Sequence, residues 1–494
     1  MDEVYNMRFK CTALFAVLLA LLTGEPHLAN KWSEKHVIVM DAGSTGSRVY
    51  IYKYEENFPL ETIVEVAHMR VIPALSTFVR NSAGLTAQID KLVEFAMTIA
   101  PSSSWSSTSI CLKATAGLRS LNEEDQNYLI SATAAALEKS VFLFDKSKTK
   151  VISGAEEALF DILAVTALFQ TYKEGFITLG AADMGGSSQQ IAFLYSSNSS
   201  NAKSEVHLGP YSRDPRKAID VIVDQNGESI AAKMSEKCSP DWRIGIPGTT
   251  EIVEIFSKSF EDMGIIGAMD IALNEFYTNK TTPEDCLTSS ASSGDLEPDN
   301  STLNPSDSFS HNVEIAAKPS CILPLHPCLP DGPFPDVPGF IGYPQPLHGK
   351  GNFDKCHQLL RGVLVPQAER VVDLDCIKRH RPKVMVGMDN YPKALEILGI
   401  PQSISVAPST IKQLARAVCR RPWKELLSEY PDFMPYRAQR ACFGATYVYT
   451  MLVDIYGIEE DDKEAFLPVD SVGEHELSWA LGSAVFSAMN LEVY

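Results

Sequence analysis

Two stretches of this sequence combine an aspartate with small and hydroxyl-bearing residues in a pattern suited to phosphate chemistry. The first is Asp41-Ala-Gly-Ser-Thr-Gly-Ser-Arg48, followed by the apolar run Val49-Tyr-Ile-Tyr52. The second is Asp183-Met-Gly-Gly-Ser-Ser-Gln-Gln190, followed by Ile191-Ala-Phe-Leu-Tyr195. In a loop of Gly, Ser and Thr no Cβ blocks the backbone, so N–H groups approach phosphate oxygens and hydroxyls add donors. Asp41 and Asp183, at the ends of the preceding strands, suit a hard cation met through its waters. Either loop alone reads as a plain hairpin turn, but the duplication favours a pair gripping one phosphate chain. No G-x-x-x-x-G-K-S/T, G-x-S-x-G or H-E-x-x-H occurs, which sets aside P-loop, serine-hydrolase and zincin mechanisms.

The elements that must carry these loops follow from periodicity. His36–Met40 and Val49–Tyr54 read as strands around a loop Asp41–Ser47, and Phe176–Leu179 and Ile191–Tyr195 as strands around Asp183–Gln190. Thr86 caps an amphipathic helix through Ile89, Leu92, Val93, Ala96 and Ile99. Further elements are a strand Ser109–Ala114, a turn Thr115–Arg119, a helix Glu123–Lys139, a strand Lys150–Ile152 and a helix opening near Glu156. Helical pattern returns at Thr410–Leu427 and from Glu474 to the end. Alternating strands and helices indicate an α/β fold, and 494 residues suffice for two packed cores. The expected division is lobe I over 33–153 plus 470–494 and lobe II over 154–469, with a Ser/Asp/Asn/Pro-rich surface insertion at about 288–318.

A formal charge of −19 repels nucleic acid and anionic membranes, so bound phosphate must be held by local donors or a metal. Arg8, Lys10 and the apolar run Cys11–Leu22 have the shape of a signal peptide within residues 1–28; the run is short for a membrane span. Of ten cysteines, Cys11 lies in that leader and Cys111 in a buried strand. The other eight, Cys238, Cys286, Cys321, Cys328, Cys356, Cys376, Cys419 and Cys442, could form four disulfides of undetermined connectivity; a zinc site is disfavoured by the absence of C-x₂-C pairs. Sequons at Asn198, Asn279 and Asn300 agree with a secreted or lumenal, glycosylated protein. The sequence carries no signal for oligomeric state.

Five segments in order resemble the conserved regions of the apyrases, or ecto-nucleoside triphosphate diphosphohydrolases. They are Asp41–Arg48, Ala114–Arg119, Ile152-Ser-Gly-Ala-Glu-Glu157, Asp183–Gln190 and Trp479-Ala-Leu-Gly482. The resemblance implies a two-lobed actin/ribonuclease-H-like fold with the site between lobes, and hydrolysis of nucleoside tri- and diphosphates. It makes Glu157 the general base, with Ser188 and Gln190 orienting the water. It puts Ser44, Thr45, Gly46, Ser47, Arg48, Thr115, Ala116, Arg119, Gly185, Gly186 and Ser187 on the phosphates. Ca²⁺ or Mg²⁺ is the implied cofactor, reached by Asp41 and Asp183 through water. The late region implies a Cys419–Cys442 disulfide and a base contact from Arg437; Tyr391 is a second candidate for the base, although an ordinary packed tyrosine is the favoured reading. Departures from the family pattern include Gln189 for a hydroxyl residue, Ala441 for an aromatic one, and Ala158, Phe160, Ile162 and Thr166 in and after the third region. The alternative is a secreted nucleotide-binding protein of the same fold with little turnover; a cytosolic exopolyphosphatase or sugar kinase fits the leader and cysteines less well.

Overall fold

The computed structural model describes residues 34–56, 62–169, 179–195, 238–245, 252–278, 286–287, 323–334, 347–431 and 435–493. The expected leader and 288–318 insertion, the three sequons and residues 176–178 of the expected strand Phe176–Leu179 lie outside the described residues.

In the first sheet, β1 (Glu34–Gly43) and β2 (Gly46–Glu55) form an antiparallel hairpin. Strand β3 (Val64–Val71) pairs antiparallel with β2, and β4 (Ser109–Ala114) pairs parallel with β1. Both faces of β1 and β4 are covered, which is why these strands read as apolar runs, whereas β3 at the edge alternates with exposed residues. Ile38, Met40, Ala42, Val49 and Ile51 share a core with α1 (Ser82–Ile99) and α2 (Glu123–Leu137), while Val37, Val39, Tyr50 and Tyr52 point to the opposite core. The side chain of Asn81 caps α1 by accepting from Gly84 N, so Thr86 lies inside the helix rather than at its start.

The second sheet repeats the pattern. β5 (Leu179–Met184) and β6 (Ser188–Leu194) form an antiparallel hairpin, β7 (Ile252–Glu261) lies antiparallel to β6, and β8 (Val384–Asp389) lies parallel to β5. Ala181 and Ala192 face the inner core with α3 (Gly154–Phe169), whereas Ala182, Met184, Ile191 and Phe193 share the outer core with α4 (Ile265–Thr278). Both hairpins are tighter than the sequence indicates. The strands leave only Ser44–Thr45 and Gly185–Ser187 between them, so Asp41, Ser47, Arg48, Asp183, Ser188 and Gln190 are ladder residues.

Helices α3 and α5 (Trp479–Ala488) lie between the two sheets, in a core containing residues of both. A reciprocal capping box opens α3: Ser153 Oγ accepts from Glu156 N at 3.1 Å, and Glu156 accepts from Ser153 N at 3.1 Å. The two helices touch at Gly482, where an added Cβ would lie 1.7 Å from the Phe160 carbonyl oxygen. Any side chain there would force the helices apart. Trp479 stacks on Phe160 with ring centroids 6.4 Å apart, so the Trp479–Gly482 motif holds the helix crossing and Phe160 is its partner. The helix expected from Glu474 to the end is confined to α5: His475–Glu476 pairs with Ser471–Val472 in a short hairpin ahead of it, and Glu492–Val493 joins the second sheet beside Trp242–Gly245. The stretch 410–427 is likewise two helices, Pro408–Cys419 and Trp423–Glu429, separated at Pro422, which cannot continue the first.

Among the described residues, disulfides join Cys238 to Cys376, Cys328 to Cys356 and Cys419 to Cys442, the last as expected. Cys286 and Cys321 fall outside the described side chains, and Cys111 is a buried thiol in β4.

Candidate active site

The two hairpin tips face each other across a cleft of about 500 Å³. Asp41, Gly43, Ser44, Thr45, Arg48 and Thr115 line one wall, Asp183, Gly185, Gly186 and Ile265 the other, and Glu157 is buried between them. The tips approach closely: a Cβ on Gly186 would lie 2.6 Å from Ser44 Oγ, and glycine is required at Gly117, in the Thr115–Arg119 turn, where a Cβ would lie 2.7 Å from the backbone at Ser44 Cα. The first tip is held by Arg70, whose Nη2 donates to the Thr45 carbonyl and hydroxyl at 3.3 and 3.1 Å. The second is held through its carbonyls, since Gly185, Gly186 and Ser187 accept from the N–H groups of Ile265, Ile266 and Gly264 at 3.0, 2.9 and 3.0 Å. These bonds fix the loop without using its own N–H groups, the donors a phosphate needs.

Because Glu156 completes the helix cap, the neighbouring Glu157 is free to turn inward, where it is 5% exposed. Its Oε2 accepts from Arg119 Nη1 at 2.9 Å and from Gln190 Nε2 at 3.3 Å. Arg119 also donates to Ser188 Oγ at 3.1 Å and to Glu261 at 3.1 Å, and Gln190 Nε2 donates to Ser188 Oγ at 2.7 Å. The four predicted residues Glu157, Arg119, Ser188 and Gln190 therefore form one network, drawn from α3, the Thr115–Arg119 turn and β6. Gln190 Oε1 is buried without a protein partner, an acceptor suited to a water O–H. Burial pushes the Glu157 carboxyl up to about 7 against the opposing pull of Arg119.

Asp41 and Asp183 flank this network. Asp41 Oδ2 accepts from Arg48 Nη1 at 2.9 Å, so Arg48 serves first to hold Asp41. Asp41 Oδ1 and Asp183 Oδ1 are both buried without partners. Burial raises both carboxyls, and the field of Asp389 and Glu157 adds to the rise at Asp183. Orphaned carboxylate oxygens that repel one another beside a phosphate cleft fit the water shell of a divalent cation, which relieves both problems.

Several predicted contacts are not brought together. Ser47 is fully buried and its hydroxyl donates to Gln88 on α1, because alternation along β2 turns it from the cleft. Tyr391 is also fully buried, edge-on to Phe466 and hydroxyl to hydroxyl with Tyr456 at 3.0 Å, so it presents no ring face to a base. Gly46 opens β2, Ala116 lies in the Thr115–Arg119 turn and Ser187 in the second loop, and none of the three lines the cleft wall; Arg119, Ser188 and Gln190 do not line it either, but bond to one another and to Glu157, which does. Arg437 does line the cleft, paired with Glu396 at 3.2 Å. Gln189 is buried and donates to Tyr456 at 2.9 Å, away from the chemistry.

Residues missed by the sequence reading also line the cleft. Asp389 ends β8 at φ 54°, uncommon for a non-glycine residue, and is held by Lys393 at 2.9 Å and Asn390 at 3.1 Å. Tyr436, 39% exposed, lies at the far end beneath the guanidinium of Arg440, 5.8 Å from the ring centroid. Neither carries a local motif, although an Asp at a strand end followed by Asn was available as a signal.

Comparison with known proteins gives the family and the fold. Probable apyrase 3 of Arabidopsis thaliana is 24% identical over 490 residues, covering 94% of this chain and 84% of that protein. Nucleoside diphosphate phosphatase ENTPD5 of Homo sapiens is 34% identical over 160 residues, 32% of this chain and 37% of the relative. A crystal structure of nucleoside triphosphate hydrolases from Neospora caninum matches with a TM-score of 0.60 at 11% identity, over 97% of this chain and 96% of the other, which supports the two-lobed fold. Residues 27–218 and 326–493 match the GDA1/CD39 (nucleoside phosphatase) family model, a span that includes both Asp-led hairpins, Glu157 and α5, and the protein belongs to that family.

Proposed function

We propose that this chain hydrolyses the terminal phosphate of nucleoside tri- and diphosphates, with Glu157 as general base. The observation that carries the reading is the buried Glu157 carboxylate, held by Arg119 and Gln190 between two Asp-led hairpins. The Glu157 carboxylate takes a proton from a water held by Gln190 Oε1 and Ser188 Oγ. The water oxygen bonds to the terminal phosphorus as the bond to the bridging oxygen breaks, and the leaving nucleotide keeps the electron pair. Backbone N–H groups of Gly185 and Gly186, with the Ser44, Thr45 and Thr115 hydroxyls, orient the phosphates, and Arg119 balances charge on the transferring group.

Ca²⁺ or Mg²⁺ fits beside Asp41 and Asp183, where it would neutralise phosphate charge. The far end of the cleft, with Tyr436, Arg437 and Arg440, suits the base, the exposed tyrosine offering a stacking face. A secretory location is part of the proposal and is supported by the disulfides. No helix among the described residues is long and apolar enough to cross a membrane.

The test is the pH dependence of kcat/KM for ATP. A base must be ionised to accept a proton, so the rate should rise with pH and level off above about 7, falling about tenfold per unit below. A profile flat through that range sinks the assignment of Glu157 as the base.

A further inference from the structure

Outside the catalytic network, a second cluster of ligand-type side chains lies on β3 and the 471–476 hairpin. His68 Nδ1 is 2.6 Å from Glu65 Oε1 and 3.7 Å from Glu476 Oε2. One donor atom from each of the three residues lies within 4.8 Å of the others.

A break in the sheet creates this arrangement. Residues three apart on a regular strand point to opposite faces. Between β2 and β3, however, the register jumps from Ile51 opposite Ala67 to Tyr52 opposite Glu65, leaving Val66 without a counterpart. The bulge puts Glu65 beside Tyr52 and His68 beside Tyr50, two residues that share a face. Tyr50 then packs on His68 with ring centroids 5.6 Å apart, limiting the imidazole's freedom.

The second observation is an unmet need in the cluster. The Glu65 side chain is 9% exposed, and its Oε2 is buried without a partner. Glu476 is held above its ordinary range by burial, against the pull of His68 and Arg48. The cations nearby are committed elsewhere: Arg48 is 2.9 Å from Asp41, and Lys393 is 2.9 Å from Asp389 and 3.5 Å from Asp470.

We propose that Glu65, His68 and Glu476 form a binding site for a divalent zinc-class ion, separate from the catalytic cation. One imidazole and two carboxylates suit zinc, whose ligand bonds are about 2 Å, whereas Ca²⁺ and Mg²⁺ take oxygen ligands and do not favour imidazole. His68 and Glu476 side chains are 45% and 31% exposed, so water completes the coordination. An ion here ties β3 to the hairpin that leads through Leu477 and Ser478 into α5; these two residues and Glu476 itself are in the cleft wall, so the ion would sit at the edge of the cleft.

The test is titration of the tag-free, chelator-treated protein with ZnCl₂ in millimolar Mg²⁺, read by calorimetry and by thermal unfolding. The expected result is one equivalent bound with a rise in Tm, and a loss of affinity of about tenfold or more in each of Glu65→Gln, His68→Ala and Glu476→Gln. Binding should weaken as pH falls, since protons compete for the ligands. Zinc-free melting of each variant identifies any that fails to fold, and Glu476→Gln, at the more exposed carboxylate, remains informative in that case. No zinc binding by the wild type, or equal binding by the folded variants, overturns the proposal.

Discussion

Replacing Glu157 with glutamine is expected to lower kcat for phosphate release from ATP by about 10²- to 10⁴-fold while cation-dependent nucleotide binding stays within a few-fold of wild type. Glutamine keeps the size of the side chain and an oxygen for Arg119 Nη1, so the cleft should keep its shape. It has no carboxylate to take the proton. The alternative role of a helix-end glutamate is already filled by Glu156 through its reciprocal bonds with Ser153. A binding assay run beside the turnover assay separates the base from a structural support. Turnover within tenfold of wild type contradicts the assignment.

Arg119 is expected to produce the second-largest effect, by two routes that can be distinguished. It donates to Glu157 and Ser188, so Arg119→Ala removes both a charge beside the transferring phosphate and the cation that holds the Glu157 carboxyl down. The first loss should cost about 10²- to 10³-fold in kcat. The second moves the acid limb of kcat/KM upward from about 7, because without the cation the neutral acid is favoured. Arg119→Lys keeps the charge but not the planar fork, so it should lose rate while leaving the limb close to its original position. A limb unmoved in Arg119→Ala would limit Arg119 to contact with the phosphate.

The architecture was legible wherever burial left a mark in the sequence. β1 reads as apolar because both of its faces are covered, and the repeated Asp-Gly-hydroxyl pattern identified the paired hairpins, although the strand expected at Phe176–Leu179 meets β5 (Leu179–Met184) only at Leu179. What escaped depends on contacts between distant elements. The sequence of β2 does not say which face meets the cleft, so Ser47 could be placed on a phosphate although it bonds Gln88. Tyr391 and Tyr436 look alike as aromatics, yet packing against Phe466 and Tyr456 buries one while the other faces the cleft. Asp389 gains its position from the pairing of β8 with β5, a register no local pattern encodes. Gly482 shows the reverse case, a motif recognised as functional whose physical role is a close helix crossing.

The measurement that bears most directly on the function is phosphate release by the purified protein from ATP and from ADP, each with Ca²⁺, with Mg²⁺ and with chelator. Release from both nucleotides that requires a divalent cation is the predicted result. No release from either nucleotide with either cation, while the nucleotides still bind, would contradict hydrolysis and leave a nucleotide-binding protein of the same fold.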